Sequence, residues 1–411
     1  MRAASLLTEL LQLKQTRVRD VKFNETGLVA AVSPTTRIPR CGECGCKARR
    51  VYDERERGWR HLDLAGMMLT LRYSLRRVRC RLCGIIAERV PWAQHGSGFT
   101  LAFEEHSAWL TQRADSTTVS TLLRVAWRTV GRVVARVVER LGPRDRLDGL
   151  THIGVDELSY RRHHEYVTVV VDHGRGQIVW AHRGKNADTL KLFFEHLGAD
   201  RLAKLEAVTI DMSGAYIKAV TEASPQAQII FDRFHVQRLA HDALDEVRRE
   251  QVRQHKGTPE AVAFKGTRWA LQKNPWNLSL DDKSKLATLE HSNRPLYRAY
   301  LLKESLAGIL DRRQPHVARK LLQKWAGWAA RSRLRPFQRV GRTIRQHLDG
   351  IVAYVASGLN NGRVEGLNGK ARTITRRAYG FHNAHSLIGL LFLCCGGLSL
   401  TPGHVHPDGF H

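Results

Sequence analysis

The chain has 411 residues, enough for roughly two to four domains at about 150 residues each, and 43% of them are hydrophobic, as in a globular protein. Lys and Arg number 66 against 39 Asp and Glu, so the formal net charge is +27 and the pI is about 10.4. A pI above about 9 favours a nucleic-acid-binding protein over one whose basic side chains are merely solvated. A membrane is excluded as a partner, because we find neither a basic amphipathic anchor nor a run near the ~20 apolar residues of a membrane helix.

Both ends of the chain carry apolar segments that are too short to span a bilayer. Residues 1–14 are rich in leucine but lack a basic start and a small-residue cleavage site, so they predict a short amphipathic helix and not a signal peptide. Residues 386–395 predict a buried core helix. Without an export signal, we expect a cytoplasmic protein whose seven cysteines stay reduced.

Two Cys-x-x-Cys pairs, Cys41 with Cys44 and Cys80 with Cys83, follow a predicted hairpin that turns at residues 24–27. Four thiolates on two tight turns form the tetrahedral ligand set of a structural Zn²⁺ site. Alternating residues 72–80 predict a strand in the long gap between the pairs. The alternatives are four unrelated buried cysteines or a redox pair, and Cys46 is a possible substitute ligand. Arginine and lysine are dense around this unit, which favours contact with phosphates over a solvated face.

Residues 103–141 have helical periodicity. A cap at Asp115, a short helix over residues 117–123 and a turn at residues 124–126 precede a longer helix over residues 127–141. The valines of this longer helix form one stripe, and Arg128 and Arg132 lie outside that stripe. This order is typical of a helix-turn-helix that binds DNA, although any three-helix bundle has a similar pattern. Residues 143–149 predict a linker.

From residue 151 the pattern changes to strands. A β-meander is predicted over residues 151–160, 166–172 and 178–182, followed by a helix over 187–197, a strand over 207–211, a helix over 215–222 and a strand over 228–232. This order predicts a mixed sheet with helices on its faces. Residues 235–357 have almost no strand signal and predict a helical insertion, followed by a further helix from about residue 363. Within the insertion, Trp269 is either a platform that stacks on an unpaired base or, more simply, a core residue.

Three acidic residues of this second region lie within or beside predicted strands and helices. Asp156 lies within an apolar strand, Asp211 ends another, and Glu365 lies in the run from Asn361 to Asn368. A buried carboxylate is costly unless it is paired or binds a cation. Three such acids could hold two Mg²⁺ ions, which stabilise the charges of phosphodiester cleavage. Competing candidates are Glu157, Asp232 and Asp172, the last of which is more simply a turn residue.

The order of these parts resembles the ISL3 family of bacterial insertion-sequence transposases. The resemblance covers nearly the whole chain and is most specific in four short segments, at residues 153–157, 211–216, 232–235 and 360–381. It implies a multidomain α/β protein with an N-terminal zinc-binding unit, a helix-turn-helix and a ribonuclease-H-like mixed-sheet catalytic domain that a large all-helical insertion interrupts. It also implies that Asp156, Asp211 and Glu365 form the DDE triad, with Asp232 and His235 as auxiliary residues. The alternative is that His235 simply caps or begins a helix.

The resemblance implies domain boundaries, cofactors and partners. The expected parts are residues 1–95 (zinc finger), 96–145 (helix-turn-helix), 146–235 and 358–400 (catalytic domain), 236–357 (helical insertion) and 401–411 (loose tail). The cofactors are catalytic Mg²⁺ (or Mn²⁺) and structural Zn²⁺. The partners are double-stranded DNA, both element end and target, and further copies of the chain in a homodimer or higher oligomer. The expected DNA contacts are Arg128, Arg132, Trp269, Arg363, Lys370, Arg376 and Arg377.

Two other functions agree with the same residues. A non-catalytic DNA-binding regulator would need the zinc unit and the helix-turn-helix but only a degenerate nuclease domain. A ribonuclease-H-like nuclease would cut DNA without joining it, with the same metals. Acids at all three expected positions favour a transposase, which would bind terminal inverted repeats, cleave the element ends and join the 3′ ends to target DNA.

Overall fold

The structure, a computed structural model, describes residues 3–161, 165–357, 359, 362–377 and 383–401, and gives the backbone alone for residues 161, 362–365, 368 and 377. The chain divides into two compact units, Met1–Pro143 with Gly389–His411, and Arg144–Ile388. The predicted loose tail lies, apart from Thr401, outside the described residues. No helix in the described part of the chain is long and apolar enough to cross a bilayer.

The first unit begins with a β-sheet whose strand order is β1-β2-β4-β3, with β5 paired to β4. The predicted hairpin is confirmed, because Asn24 pairs with Gly27 and the Asn24 side chain accepts the N–H of Thr26 at 3.1 Å. Trp59 and Trp92 pack edge to face in the core beside the sheet. The elements are α1 (Ala3–Leu11), β1 (Thr16–Asn24), β2 (Gly27–Pro34), β3 (Val51–Arg60), β4 (Leu69–Cys80) and β5 (Gly84–Ala87).

Three helices follow, α2 (Leu101–Arg113), α3 (Ser116–Leu123) and α4 (Trp127–Leu141). The Asp115 side chain caps α3 by accepting the N–H groups of Thr117 and Thr118. Arg124 then turns the chain in a left-handed conformation, with φ of 54°. The predicted valine stripe of α4 is buried. The short helix, tight turn and longer helix are therefore confirmed, and the turn sets α4 against α2 and α3.

The second unit is built on a five-stranded sheet with the order β10-β9-β6-β7-β8. Strands β6, β9 and β10 are parallel, whereas β7 is antiparallel to both β6 and β8. This mixed order is that of the ribonuclease-H-like fold, as the sequence predicted. The elements are β6 (His152–Arg161), β7 (Glu165–Asp172), β8 (Gln177–Arg183), α5 (Ala187–Leu197), α6 (Ala199–Leu202), β9 (Ala207–Ile210), α7 (Gly214–Ala223) and β10 (Gln228–Phe231).

The predicted insertion is helical throughout and shares a continuous hydrophobic core with the sheet and its helices. It comprises α8 (Arg233–Gln254), α9 (Pro259–Gly266), α10 (Arg268–Gln272), a 3₁₀ turn (Pro275–Asn277), α11 (Leu280–Ser292), α12 (Arg294–Leu310), α13 (Pro315–Arg331), α14 (Arg335–Gln346) and α15 (Leu348–Ser357). The last helices are α16 (Gly362–Arg377) and α17 (Ala384–Cys395). Leu387, Leu391 and Leu393 of α17 are fully buried, which confirms the predicted core helix.

Candidate active site and metal centre

Three aspartates lie at the carboxyl ends of the parallel strands. Gly154 of β6 and Thr209 of β9 are the last pair of their register; Asp156 follows two residues later within β6, and Asp211 follows two residues later, just past the end of β9. Phe231 of β10 pairs with Ile210 of β9, so Asp232, the residue after β10, lies beside Asp211, the residue after β9. Sites in open α/β sheets form at this edge. Two aspartates predicted from separate segments, and the competing candidate Asp232, therefore lie at the carboxyl ends of adjacent strands.

Asp156 is largely buried, with 15% of its side chain exposed. Its Oδ1 accepts the N–H of Glu157 at 2.7 Å, and its Oδ2 lies 3.4 Å from an Nη atom of Arg372. Burial raises the pKa of Asp156; the Glu157 N–H and the charges of Arg372 and His235 lower it, and the charge of Asp232 raises it. On balance the pKa of Asp156 is raised, because burial outweighs the cationic neighbours that favour its ionised form.

Asp211 follows β9 and begins the loop to α7. Its Oδ1 accepts the N–H of Ser213 at 3.0 Å. Burial raises the pKa of the neighbouring acid Glu157; the hydrogen bond from Tyr216 and the charge of Lys185 lower it, and the charges of Asp211 and Asp156 raise it. The Tyr216 hydroxyl donates to Glu157 Oε1 at 2.7 Å. A second acidic pair, Glu157 with Asp211, therefore adjoins Asp156.

The two auxiliary candidates occupy the start of α8. Asp232 is its N-cap and accepts the N–H of Phe234 at 2.9 Å. His235 lies in the first turn, as the simpler alternative expected, and its charge acts on Asp156. By contrast, Asp172 pairs with Ile153 near the start of β6, and its side chain accepts from Gly174 and Arg175. Asp172 is thus a turn residue at the other end of the strands.

Helix α16 carries the position of Glu365 and packs against β6, the strand of Asp156. The side chains of Glu365, Arg363 and Arg377 lie outside the described residues, so the structure does not place them. Lys370, Arg372 and Arg376 are exposed on the same helix. The positions of Glu365 and Arg372 are seven residues apart, or two turns, and therefore lie on one face of α16.

The donor set at the strand ends consists of carboxylate oxygens, the hard ligands that Mg²⁺ and Mn²⁺ prefer. The buried carboxylate of Asp156, already opposite a guanidinium, is the kind of group that a cation stabilises. Among the side chains that the structure describes, however, the acids do not form a set of three ligands within 4.8 Å. The donor atoms and their place at the strand ends therefore suit a divalent cation, but the described carboxylates alone do not form a complete ligand set.

The four predicted cysteines do form such a set. The Sγ atoms of Cys41, Cys44, Cys80 and Cys83 all lie within 4.8 Å of one another, and those of Cys44 and Cys80 are 3.5 Å apart. Zinc–sulfur bonds of about 2.3 Å in a tetrahedron put sulfurs about 3.8 Å apart, so the cluster fits Zn²⁺. Backbone N–H groups of Cys83 and Leu82 lower the pKa of Cys80, whereas burial raises the pKa of Cys83. Cys46 is exposed and outside the cluster.

The predicted DNA contacts that are described lie at the surface. Arg128 and Arg132 are exposed on α4, opposite its buried valines. Trp269 is 67% exposed, with the Arg268 guanidinium 5.1 Å from its ring centroid, so the core alternative for this tryptophan is wrong. Trp276 is exposed as well, whereas Trp325 is buried and donates to the carbonyl of Leu302.

Three further residues that act on the acidic site, Arg372, Tyr216 and Lys185, were not predicted from the sequence. The signal for Arg372 was its spacing of two helical turns from Glu365 on a predicted helix. Tyr216 follows Asp211 by five residues, within a segment that the sequence had singled out. Lys185 had no signal, because it lies in the connection after β8 and its charge acts on Glu157 only through the folding of the meander.

Three sequence models match successive parts of the chain. Residues 37–83 match "zinc-finger of transposase IS204/IS1001/IS1096/IS1165", residues 88–138 match "Helix-turn-helix domain of transposase family ISL3", and residues 153–390 match the family described as "Transposase". The four clustered cysteines fit the first match, α3 and α4 lie within the second, and the ribonuclease-H-like sheet lies within the third. These parts define the class of DDE transposases.

Similar proteins extend over most of the chain. The transposase for insertion sequence element IS1557 of Mycobacterium tuberculosis is 38% identical over 446 aligned positions, which cover 99% of both chains. The transposase for insertion sequence element IS1001 of Bordetella parapertussis is 29% identical over 86% of this chain and 87% of its own. The chain belongs to the ISL3 family of insertion-sequence transposases.

Proposed function

We propose that the protein binds the terminal inverted repeats of an insertion sequence, cleaves DNA at the element ends and joins the 3′ ends to target DNA. The observation that carries this proposal is the position of Asp156 and Asp211 at the carboxyl ends of neighbouring parallel strands, with the helix of Glu365 packed against the strand of Asp156. Two carboxylates and the helix that carries Glu365 therefore come together at one edge of a ribonuclease-H-like sheet.

In this proposal Asp156, Asp211 and Glu365 would hold the catalytic Mg²⁺ or Mn²⁺ ions. Bound there, the ions would stabilise the charges on the attacking and leaving oxygens of a phosphodiester. Asp232 and His235 support this arrangement from the start of α8, where their charges act on Asp156. Arg372, 3.4 Å from Asp156, balances the carboxylate charge when DNA and metal are absent.

The basic side chains of α16 and the exposed aromatic of the insertion are the proposed DNA contacts of the catalytic unit. Arg363, Lys370, Arg376 and Arg377 would bind phosphates, because α16 carries them beside the proposed metal ligands. Trp269 would stack on an unpaired base, which its exposure and its adjacent Arg268 favour.

The proposed organisation has residues 1–95 and 96–145 as the end-binding zinc and helix-turn-helix domains. Residues 146–235 and 358–400 form the catalytic domain around the insertion at residues 236–357, and residues 401–411 are a loose tail. One triad per chain and two ends per element predict a homodimer or higher oligomer on DNA. Its proposed place of action is the cytoplasm, where bacterial DNA is accessible.

Helix α4 is proposed to read the sequence of the element ends. Arg128→Ala should reduce the preference for terminal-repeat over random DNA by about tenfold, because a bidentate arginine–base contact contributes about 1–3 kcal/mol of discrimination. Arg132→Ala should act similarly. Binding is measured by fluorescence anisotropy at moderate salt. Arg128→Lys is the control, because it keeps the charge but not the planar fork. An equal loss of affinity for both DNAs would identify a phosphate contact instead.

The whole proposal is tested with purified full-length protein, a duplex that ends in the element's inverted repeat, a target plasmid and Mg²⁺. We expect cleavage at the element end and covalent joining to the plasmid. Cleavage without joining would identify the nuclease alternative. Specific binding without either reaction would identify the regulator alternative.

A further inference from the structure

The backbone pairing of β6 and β9 ends just before two proposed metal ligands, Asp156 within β6 and Asp211 just past β9. Their hydrogen-bonded register ends at Gly154 and Thr209, two residues before Asp156 and Asp211. Beyond this point β6 continues beside β7, whereas the chain after β9 turns away into the loop that leads to α7. The spacing of the two aspartates therefore depends on whatever holds that loop to β6.

Tyr216 makes such a connection. It lies on α7, five residues after Asp211, and its ring is fully enclosed, with 2% of the residue exposed. Its hydroxyl donates to Glu157 Oε1 at 2.7 Å and lies 3.3 Å from the hydroxyl of Thr168. Glu157 and Thr168 face each other across β6 and β7. The Tyr216 hydroxyl therefore connects α7 to the cross-strand pair of Glu157 and Thr168. Glu157 is the residue that follows Asp156.

Resting on the proposed function, we propose that Tyr216 is a positioning residue: its hydrogen bond to Glu157 fixes the loop of Asp211 beside Asp156 and so sets the spacing of two metal-binding carboxylates. Glu157 acts in this arrangement as the acceptor that anchors Tyr216. It is not a metal ligand. A bond to a charged acceptor is strong enough for this role.

The test is Tyr216→Phe, which removes one hydroxyl and keeps the buried ring. We expect Mn²⁺ to bind the full-length protein about tenfold more weakly by calorimetry, the size expected for loss of one hydrogen bond to a charged group. The Mg²⁺ concentration for half-maximal cleavage of element-end DNA should rise by a similar factor. A merely structural role would lower the unfolding temperature and leave both metal readouts unchanged, which would overturn the inference.

Two variants of Glu157 distinguish its role as the acceptor for Tyr216 from a role of its charge in metal binding. Glu157→Gln keeps an acceptor for Tyr216 and should retain Mn²⁺ affinity, whereas Glu157→Ala removes the acceptor and should behave as Tyr216→Phe does. Weakened Mn²⁺ binding in Glu157→Gln would make Glu157 a ligand and contradict the inference. Glu157→Ala also tests the same bond from its other end if Tyr216→Phe does not fold.

The control is Tyr73→Phe, which removes a hydrogen bond of the same kind, to Glu88 at 3.0 Å, in the other compact unit. It should leave Mn²⁺ affinity unchanged. Failure of the proposed function would appear in the wild-type protein, as absent cleavage and as Mn²⁺ binding that does not depend on Asp156 or Asp211. Failure of this inference alone would leave the wild type active and Tyr216→Phe indistinguishable from it.

Discussion

Asp156→Asn is expected to reduce cleavage of element-end DNA by about a thousandfold or more in Mg²⁺. The substitution keeps the size and polarity of the side chain but removes a charge that is proposed to hold divalent metal. Loss of about 4 kcal/mol of transition-state stabilisation corresponds to that factor, and metal ions supply several kcal/mol. Asp211→Asn should have the same effect. The double variant should lose little more, because ligands of one metal centre act as a unit.

The fold should survive Asp156→Asn. Burial raises the pKa of Asp156, so its ionised form is less favourable in the folded than in the unfolded chain. Removing that charge should leave the unfolding temperature without divalent cations equal to or above that of the wild type. Asp172→Asn is the contrasting variant, because Asp172 holds the turn at the other end of the strands. It should lower the unfolding temperature while folded protein still cleaves. Near wild-type cleavage by Asp156→Asn would exclude this carboxylate from the reaction.

Cys44→Ser is expected to abolish zinc binding and with it the specific binding of element ends. Structural zinc contributes on the order of 10 kcal/mol of folding free energy in small zinc units, and a hydroxyl is a poor substitute for a thiolate. Metal analysis should give about one zinc per wild-type chain and almost none for the variant. Strong chelation of the wild type should have the same consequence for end binding.

Cys46→Ser is the matched control for that experiment. Both cysteines are exposed and stand two residues apart, but only Cys44 belongs to the four-sulfur cluster. Cys46→Ser should therefore keep its zinc and its end binding. Zinc retained by Cys44→Ser and lost by Cys46→Ser would show that Cys46 is the ligand.

Much of the fold could be predicted because local patterns coincide with the elements. Alternation predicted the strands of the meander, and the helix over residues 187–197 agrees with α5 at both ends. The helix-turn-helix was readable because Asp115 is a strong cap and the valines of α4 repeat at helical spacing. The four-cysteine cluster was readable because two tight turns present sulfurs in pairs.

The candidate site was less predictable, because it depends on register and on long-range packing. No local pattern specifies that Asp156, Asp211 and Asp232 come together at the strand ends, since this follows from the pairing of three separated strands. The approach of Arg372 to Asp156 spans 216 positions of sequence. Trp269 is exposed because α10 is short and buries Ala270 and Leu271 instead, which helical periodicity over five residues could not reveal.

The central claim, that Glu365 completes a metal-binding triad with Asp156 and Asp211, is tested most directly by joining a pre-cut element end to plasmid DNA in Mg²⁺. The wild type and the control Thr373→Ala, an exposed position on the same helix α16, should form covalent product. Glu365→Gln should bind the end with unchanged affinity and form about a thousandfold less product, because the proposed loss is one of metal ligation alone. Joining by Glu365→Gln at near wild-type rate would contradict the triad and make Asp232, beside Asp211 at the strand ends, the next candidate for the third ligand.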